Sequence, residues 1–116
     1  MKNKILLFAA LGVSLAACGG SGVSTPSDVR ASWGADCSAP TLRIDADSLH
    51  ILYPQKQDFD LTAAELDGTT LKLSLVNEGK KITDVYTYEN DTLTPETVIV
   101  DGQTFSGDKV PLKKCG

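Results

Sequence analysis

The chain has 116 residues, with 15 Asp and Glu against 11 Lys and Arg, and a single histidine. An acidic balance argues against nucleic acid and against docking on anionic lipid, since both require surfaces rich in Lys and Arg. One histidine and three cysteines also leave little material for a metal centre or a base-assisted nucleophile.

The chain opens with Lys2 and Lys4, continues with an apolar run over residues 5–11, and reaches Leu15-Ala16-Ala17-Cys18 followed by Gly19, Gly20, Ser21 and Gly22. A basic start, a short apolar stretch and small residues at a cut site are the marks of a secretory signal peptide. The run is too short and too soon interrupted for a spanning helix, which needs about 20 apolar residues. Leu-Ala-Ala-Cys resembles the lipobox of bacterial lipoproteins. That resemblance implies cleavage before Cys18 and acylation of Cys18 at its thiol and new amine. Several acyl chains make such an anchor effectively permanent, because each buried methylene contributes about 0.8 kcal/mol.

Cleavage there divides the chain into a signal peptide (residues 1–17), a tether (18–28) and one domain (29–116), and the mature chain from Cys18 carries nine basic and 15 acidic residues. The tether reads as flexible: Gly-Gly-Ser-Gly-Val-Ser-Thr-Pro-Ser-Asp has almost nothing to bury. With Cys18 taken by lipid, Cys37 and Cys115 remain as a pair. Beyond the inner membrane the environment is oxidising, so a disulfide is expected.

Ordered structure is expected from Val29, where Val29, Ala31 and Trp33 alternate with Arg30 and Ser32. Trp33, the only tryptophan, reads as core. Leu42 and Ile44 share one face, Asp45-Ala46-Asp47 supplies a turn, and Leu49, Ile51 and Tyr53 alternate until Pro54 ends the ladder. Phe59 and Leu61 continue the pattern. Thr62-Ala63-Ala64-Glu65 has the spacing of a helix capping box, and Gly68 limits it to a single helical turn. The clearest strand covers residues 70–76, with Leu71, Leu73 and Leu75 on one face. Residues 77–80 turn into a return run, 82–88, whose alternation breaks at Asp84 and Val85, as at a bulge or in a strand covered on both faces. Asn90-Asp91 turns the chain again. Leu93 leads through Pro95 into Val98, Ile99 and Val100, and Asp101-Gly102 is the signature of a two-residue type I′ hairpin. Residues 103–105 form the return, and Val110 and Leu112 close the chain beside Cys115. Seven or eight short strands without a long helix predict an all-β fold, a small antiparallel β-barrel or sandwich.

Convergent chemistry is scarce. His50 reads as a surface residue with no second histidine to help it serve a nucleophile or ligate zinc. The pairs Asp45/Asp47 and Asp58/Asp60 lack the further ligands of a calcium loop and read as solvent-facing carboxylates. No catalytic residue, metal or cofactor is assigned, and a non-catalytic role follows. The lipobox, the early Trp33 followed by Cys37, the strand pattern and the terminal Cys115 together resemble the small β-barrel lipoproteins and envelope inhibitors of Gram-negative bacteria. Membrane-bound lysozyme inhibitors and barrel-type protease inhibitors belong to that group. Ser32-Trp33-Gly34 is similar to the first-strand tryptophan region of calycin-like barrels, with Ala31 in place of the usual glycine. The combined Ser-Gly and Trp-Lys-type segment of the lysozyme inhibitors is not found, so no inhibitory residue is carried over. The resemblance implies an envelope interaction module, in its specific form a hydrolase inhibitor. The alternatives are a calycin-like carrier of a small ligand and a structural or assembly lipoprotein. Gly19, not an aspartate, implies sorting to the outer membrane, facing the periplasm, with contact to the membrane through the lipid on Cys18 and to an envelope protein as partner.

Overall fold

A computed structural model describes residues 23–116; the signal peptide, Cys18 and residues 19–22 lie outside them. The strands are β1 (Ser32–Gly34), β2 (Leu42–Ile44), β3 (Ser48–Ile51), β4 (Gln57–Asp67), β5 (Thr70–Asn77), β6 (Lys80–Glu89), β7 (Thr92–Val100), β8 (Gln103–Ser106) and β9 (Leu112–Lys114). Every pairing is antiparallel, and β1 to β7 followed by β9 close on themselves as an eight-stranded barrel. β8 is an extra strand: it continues the pairing along the second half of β7, and its other edge is unpaired among the described residues. The choice between barrel and sandwich left open by the sequence is thereby made.

Alternation decides which side chains face inward. In β5, Leu71, Leu73 and Leu75 are buried while Lys72 and Val76 are exposed, the period of two that a half-buried strand requires. Trp33, Ile44, Leu49, Leu61, Leu71, Leu73 and Leu93 are fully buried and fill the interior, as befits a barrel of eight strands. Two-residue hairpins join the long strands. Asp101 and Gly102 both have positive φ, 50° and 86°, the conformation a type I′ turn demands.

Four sequence expectations change. Residues 62–65 are not helical; they lie within β4, and Ala63, Ala64 and Glu65 pair with Ser74, Leu73 and Lys72. The register slips between Leu61 and Ala63, so Thr62 is the extra residue of a bulge. Inward positions run Phe59, Leu61, then Ala64, Leu66, and this one-residue phase slip is what imitated a helical spacing. Next, the broken alternation at Asp84 is no bulge in β6, which pairs with β5 without a slip. The slip lies across from it on β7, where Glu96 is the extra residue between Pro95 and Thr97. Third, Val110 lies outside β9 and is 46% exposed, leaving closure to Leu112. Lastly, packing starts before Val29. Thr25 is fully buried, its amide donates to the Ala46 carbonyl at 2.8 Å, and Ser27–Val29 form a 3-10 turn.

Trp33 anchors the first strand. Its indole N–H donates to the Val29 carbonyl at 3.0 Å, and its ring meets Tyr88 edge-on with centroids 6.1 Å apart. At the neighbouring Gly34 a Cβ would come within 2.8 Å of the Pro40 Cα, so only glycine lets the following loop fold back. That loop carries Cys37 to Cys115, and the two are disulfide-bonded with Cα atoms 5.2 Å apart across 78 residues of sequence.

Closing so long a loop removes roughly 4 kcal/mol of chain entropy from the unfolded state, against a typical stability of about 5–15 kcal/mol. The Cys37→Ser/Cys115→Ser chain is therefore expected to lose roughly 2–5 kcal/mol in urea unfolding. A loss below about 1 kcal/mol would mean that the strands close the barrel without the covalent tie.

Candidate functional site

Cross-strand register builds the first cluster. Arg43 on β2 stands opposite His50 on β3, and His50 opposite Asp58 on β4. Directly opposed side chains on one face of a sheet lie in contact. The row is extended by Asp45, which follows β2, and by Ser48, two positions before His50. The His50 Nδ1 is 2.6 Å from Asp58 Oδ1, and its Nε2 is 2.9 Å from Asp45 Oδ2 and 3.1 Å from Ser48 Oγ. Arg43 Nε donates to Asp45 at 3.0 Å and Nη1 to the Oγ of Ser32, its own cross-strand partner on β1, at 3.1 Å. The hydrogen bond to Asp58 is the largest influence holding the imidazole above its ordinary value of 6.5. Partial burial opposes it and the charge of Asp45 adds to it.

Ser48, His50 and Asp58 have the connectivity of a serine hydrolase triad. Asp45 removes its chemistry. A base must offer Nε2 as an acceptor to the serine proton, whereas carboxylates at both ring nitrogens favour the imidazolium, in which both nitrogens donate. The cluster is thus a charged, hydrogen-bonded hub. Nor are its carboxylates arranged as ligands, since they approach opposite sides of one ring. Among the described residues no group of three or more His, Cys, Asp or Glu side chains is placed to hold a metal ion.

Beside the hub the chain leaves β3 and crosses to β4. Leu52 and Lys56 of this loop, with Arg43, His50 and Asp58, line an open groove of about 370 Å³. Tyr53, between them in sequence, is 69% exposed, the most exposed large hydrophobic side chain among the described residues. The loop is tied at its start by the Leu52 amide, which donates to the Thr41 carbonyl at 2.8 Å. An aromatic side chain projects there from a loop whose base is fixed.

A second feature faces inward. Asp84 pairs across the sheet with Leu73 on one side and Val98 on the other, and so shares the interior face with fully buried Leu73. Burial pushes its carboxyl up to about 6, against the opposing hydrogen bond from Tyr86 Oη at 3.5 Å. Tyr86 is itself buried, its phenol raised chiefly by burial and then by the charge of Asp84. Because the folded value of Asp84 lies above the unfolded one, its ionisation destabilises the fold as pH rises from about 4 to about 6, by on the order of 3 kcal/mol.

Of the residues singled out in the sequence, Cys37 and Cys115 are joined, Cys18 lies outside the described residues, and His50 is no isolated surface residue. Register brings Asp45 and Asp58 onto His50 from strands on either side, and neither the hub nor the inward Asp84 carries a local motif. The broken alternation at Asp84 was the one signal available.

The hub makes His50 titrate late. Its ion pairs add stability that is fully present below the unfolded value of 6.5 and is lost as pH rises through the raised folded value. A proton NMR titration of the His50 ring is expected to give a midpoint above 6.5, and Asp58→Asn should lower it. A midpoint unmoved by that substitution would separate His50 from Asp58. In comparison with known proteins, no family model, curated protein or solved structure matches the chain.

Proposed function

We propose that the chain is a lipid-anchored lipoprotein of the cell envelope, attached through Cys18 on the periplasmic side of the outer membrane, and that its barrel is a non-catalytic protein-interaction module. The observation that carries the interaction reading is Tyr53. It is exposed on a tied loop whose Leu52 and Lys56 line a groove with Arg43, His50 and Asp58. Exposed tyrosines flanked by charged groups are the usual anchors of protein interfaces. A projecting side chain on a fixed loop is also the shape that enters an enzyme cleft, so a hydrolase is the partner class of choice. Inhibition of this type needs no reaction from the inhibitor.

The disulfide supports the address. Cys37 and Cys115 occupy one another, leaving Cys18 as the one cysteine available for acylation, and a disulfide is at home in an oxidising compartment. Outward positions on the strands carry Arg43, Asp58, Glu65 and Lys72, all exposed. In a membrane-spanning barrel such positions face lipid and are apolar, so the barrel belongs in water at the end of its tether. The filled interior speaks against a carrier that encloses its ligand in the lumen.

Two outcomes are expected. Cys18→Ser should abolish incorporation of labelled fatty acid and move the protein from the membrane pellet to the soluble fraction; persistence in the pellet would remove the anchor. Affinity capture from envelope extract with the Cys18→Ser chain, disulfide intact, should retain a stoichiometric, salt-resistant partner. Tyr53→Ala should lose that partner by at least tenfold, the cost of a typical anchor residue of about 2 kcal/mol. Retention undiminished by Tyr53→Ala would sink the assignment of this loop.

A further inference from the structure

Asp84 is an inward carboxylate with no counter-charge. Among the described residues the ion pairs join Arg43, His50, Lys109 and Lys114 to other acids. Among the described residues, the hydrogen bond given to the Asp84 side chain is the long one from Tyr86. The titratable groups that face it are Tyr86 and Asp108, both acidic, while its cross-strand partners Leu73 and Val98 carry none. A buried charge is normally paired.

The space before Asp84 is open. A recess of about 190 Å³ is walled by Val85, Pro95 and Val98 on β6 and β7, and by Leu42 from β2, which pairs with neither of them. Asp108 stands with Asp84 and Tyr86 in its lining. The recess has a cause in the topology. Glu96 is looped out of the β6–β7 ladder, and opposite it the chain leaves β8 through residues 107–111 before resuming as β9. Gly107 lies against the Pro95 and Glu96 backbone, where a Cβ would come within 3.0 Å. β1 pairs with β9 through two residue pairs only, so no strand covers the far edge of β8. The barrel wall is therefore incomplete beside Asp84.

We infer that this recess is a binding site for a cationic group on a short apolar stem, an alkylammonium or guanidinium, with Asp84 as its counter-ion at the inner end. Apolar walls accept the stem. Two carboxylates and no Lys, Arg or His among the lining residues disfavour anions and favour positive charge. The volume matches about six waters, the size of a butylammonium ion or the outer part of a Lys or Arg side chain. A free amine and a basic side chain of a protein share this chemistry. The site is separate from the Tyr53 groove and stands or falls independently of it.

The test is a titration of the full chain, disulfide intact, with n-butylammonium and n-butylguanidinium, followed by backbone amide NMR shifts of Val98 and Gly107. Saturable shifts are expected at pH 7.5. Binding should weaken about tenfold at pH 5, where about one-tenth of a carboxyl titrating near 6 is ionised. Asp84→Asn should weaken it by at least tenfold at pH 7.5. That variant should unfold at a higher temperature than the parent at pH 8, since it removes a half-buried charge that desolvation disfavours, and this establishes that it is folded. Exposed Asp108→Asn serves as the second variant and should weaken binding by a smaller factor. Equal binding of neutral n-pentanol, no saturable shift with either cation, or affinity unchanged by Asp84→Asn would overturn the assignment. Short peptides containing one Lys or Arg distinguish the source. Peptides that bind as tightly as the free ions support a protein side chain as occupant, and free ions that bind where peptides do not support a small amine.

Discussion

The closing seam of the barrel is the constraint on which the rest depends. β1 and β9 have three residues each, and they meet through only Trp33 with Lys114 and Gly34 with Lys113. So few ladder bonds would leave an open, edge-exposed sheet. The seam is reinforced from every side. The Cys115 amide donates to the Ser32 carbonyl at 2.7 Å, the Ser32 amide to Gly116, and Lys114 Nζ to the Asp28 carbonyl at 2.7 Å. Trp33 fills the interior behind it, and the disulfide crosses outside it. A chain of this length buries too little surface to tolerate a weak closure. That is the physical reason for spending both the only tryptophan and the only disulfide on the same few residues.

The short seam also shapes the surface. β9 pairs only with the start of β7 and β8 with its end, so β8 keeps a free edge among the described residues and the recess beside Asp84 stays open. On the other side of the barrel, β2, β3 and β4 pair in uninterrupted register, and that regularity lines up Arg43, His50 and Asp58. One sheet thus carries an ordered polar row where pairing is complete and an acidic recess where it is not.

Much of the fold could be read from the chain because β-strand alternation is local. The inward Leu71, Leu73 and Leu75, the Asp101-Gly102 hairpin and the pairing of Cys37 with Cys115 each follow from residues a few positions apart or from counting. Thr62 misled because a bulge shifts the apolar phase by one, and a shifted phase briefly satisfies the spacing of a helix. Tyr53 reads as part of the same alternating run as Leu49 and Ile51, which β3 abandons after Ile51. The hub at His50 was illegible for a different reason: it joins residues from three segments, and only register says that 43, 50 and 58 are neighbours. Asp84 gave a partial signal as a break in the pattern, without saying that the carboxylate stays inside.

The two acidic settings illustrate why position outweighs composition. Asp58 is exposed, shares a proton-rich contact with His50, and stabilises the charge of its partner. Asp84 has the same side chain on the inward face, away from any cation, and its own charge is the one opposed. Replacing Asp84 by an apolar residue would close the core, in keeping with Ile82 and Tyr86 on either side of it. Among inward positions of β6 a carboxylate is the most costly choice, and a domain this small has little stability to give up. A cost of that kind, set beside an incomplete wall and an apolar recess, is what a binding site looks like when its ligand supplies the missing charge.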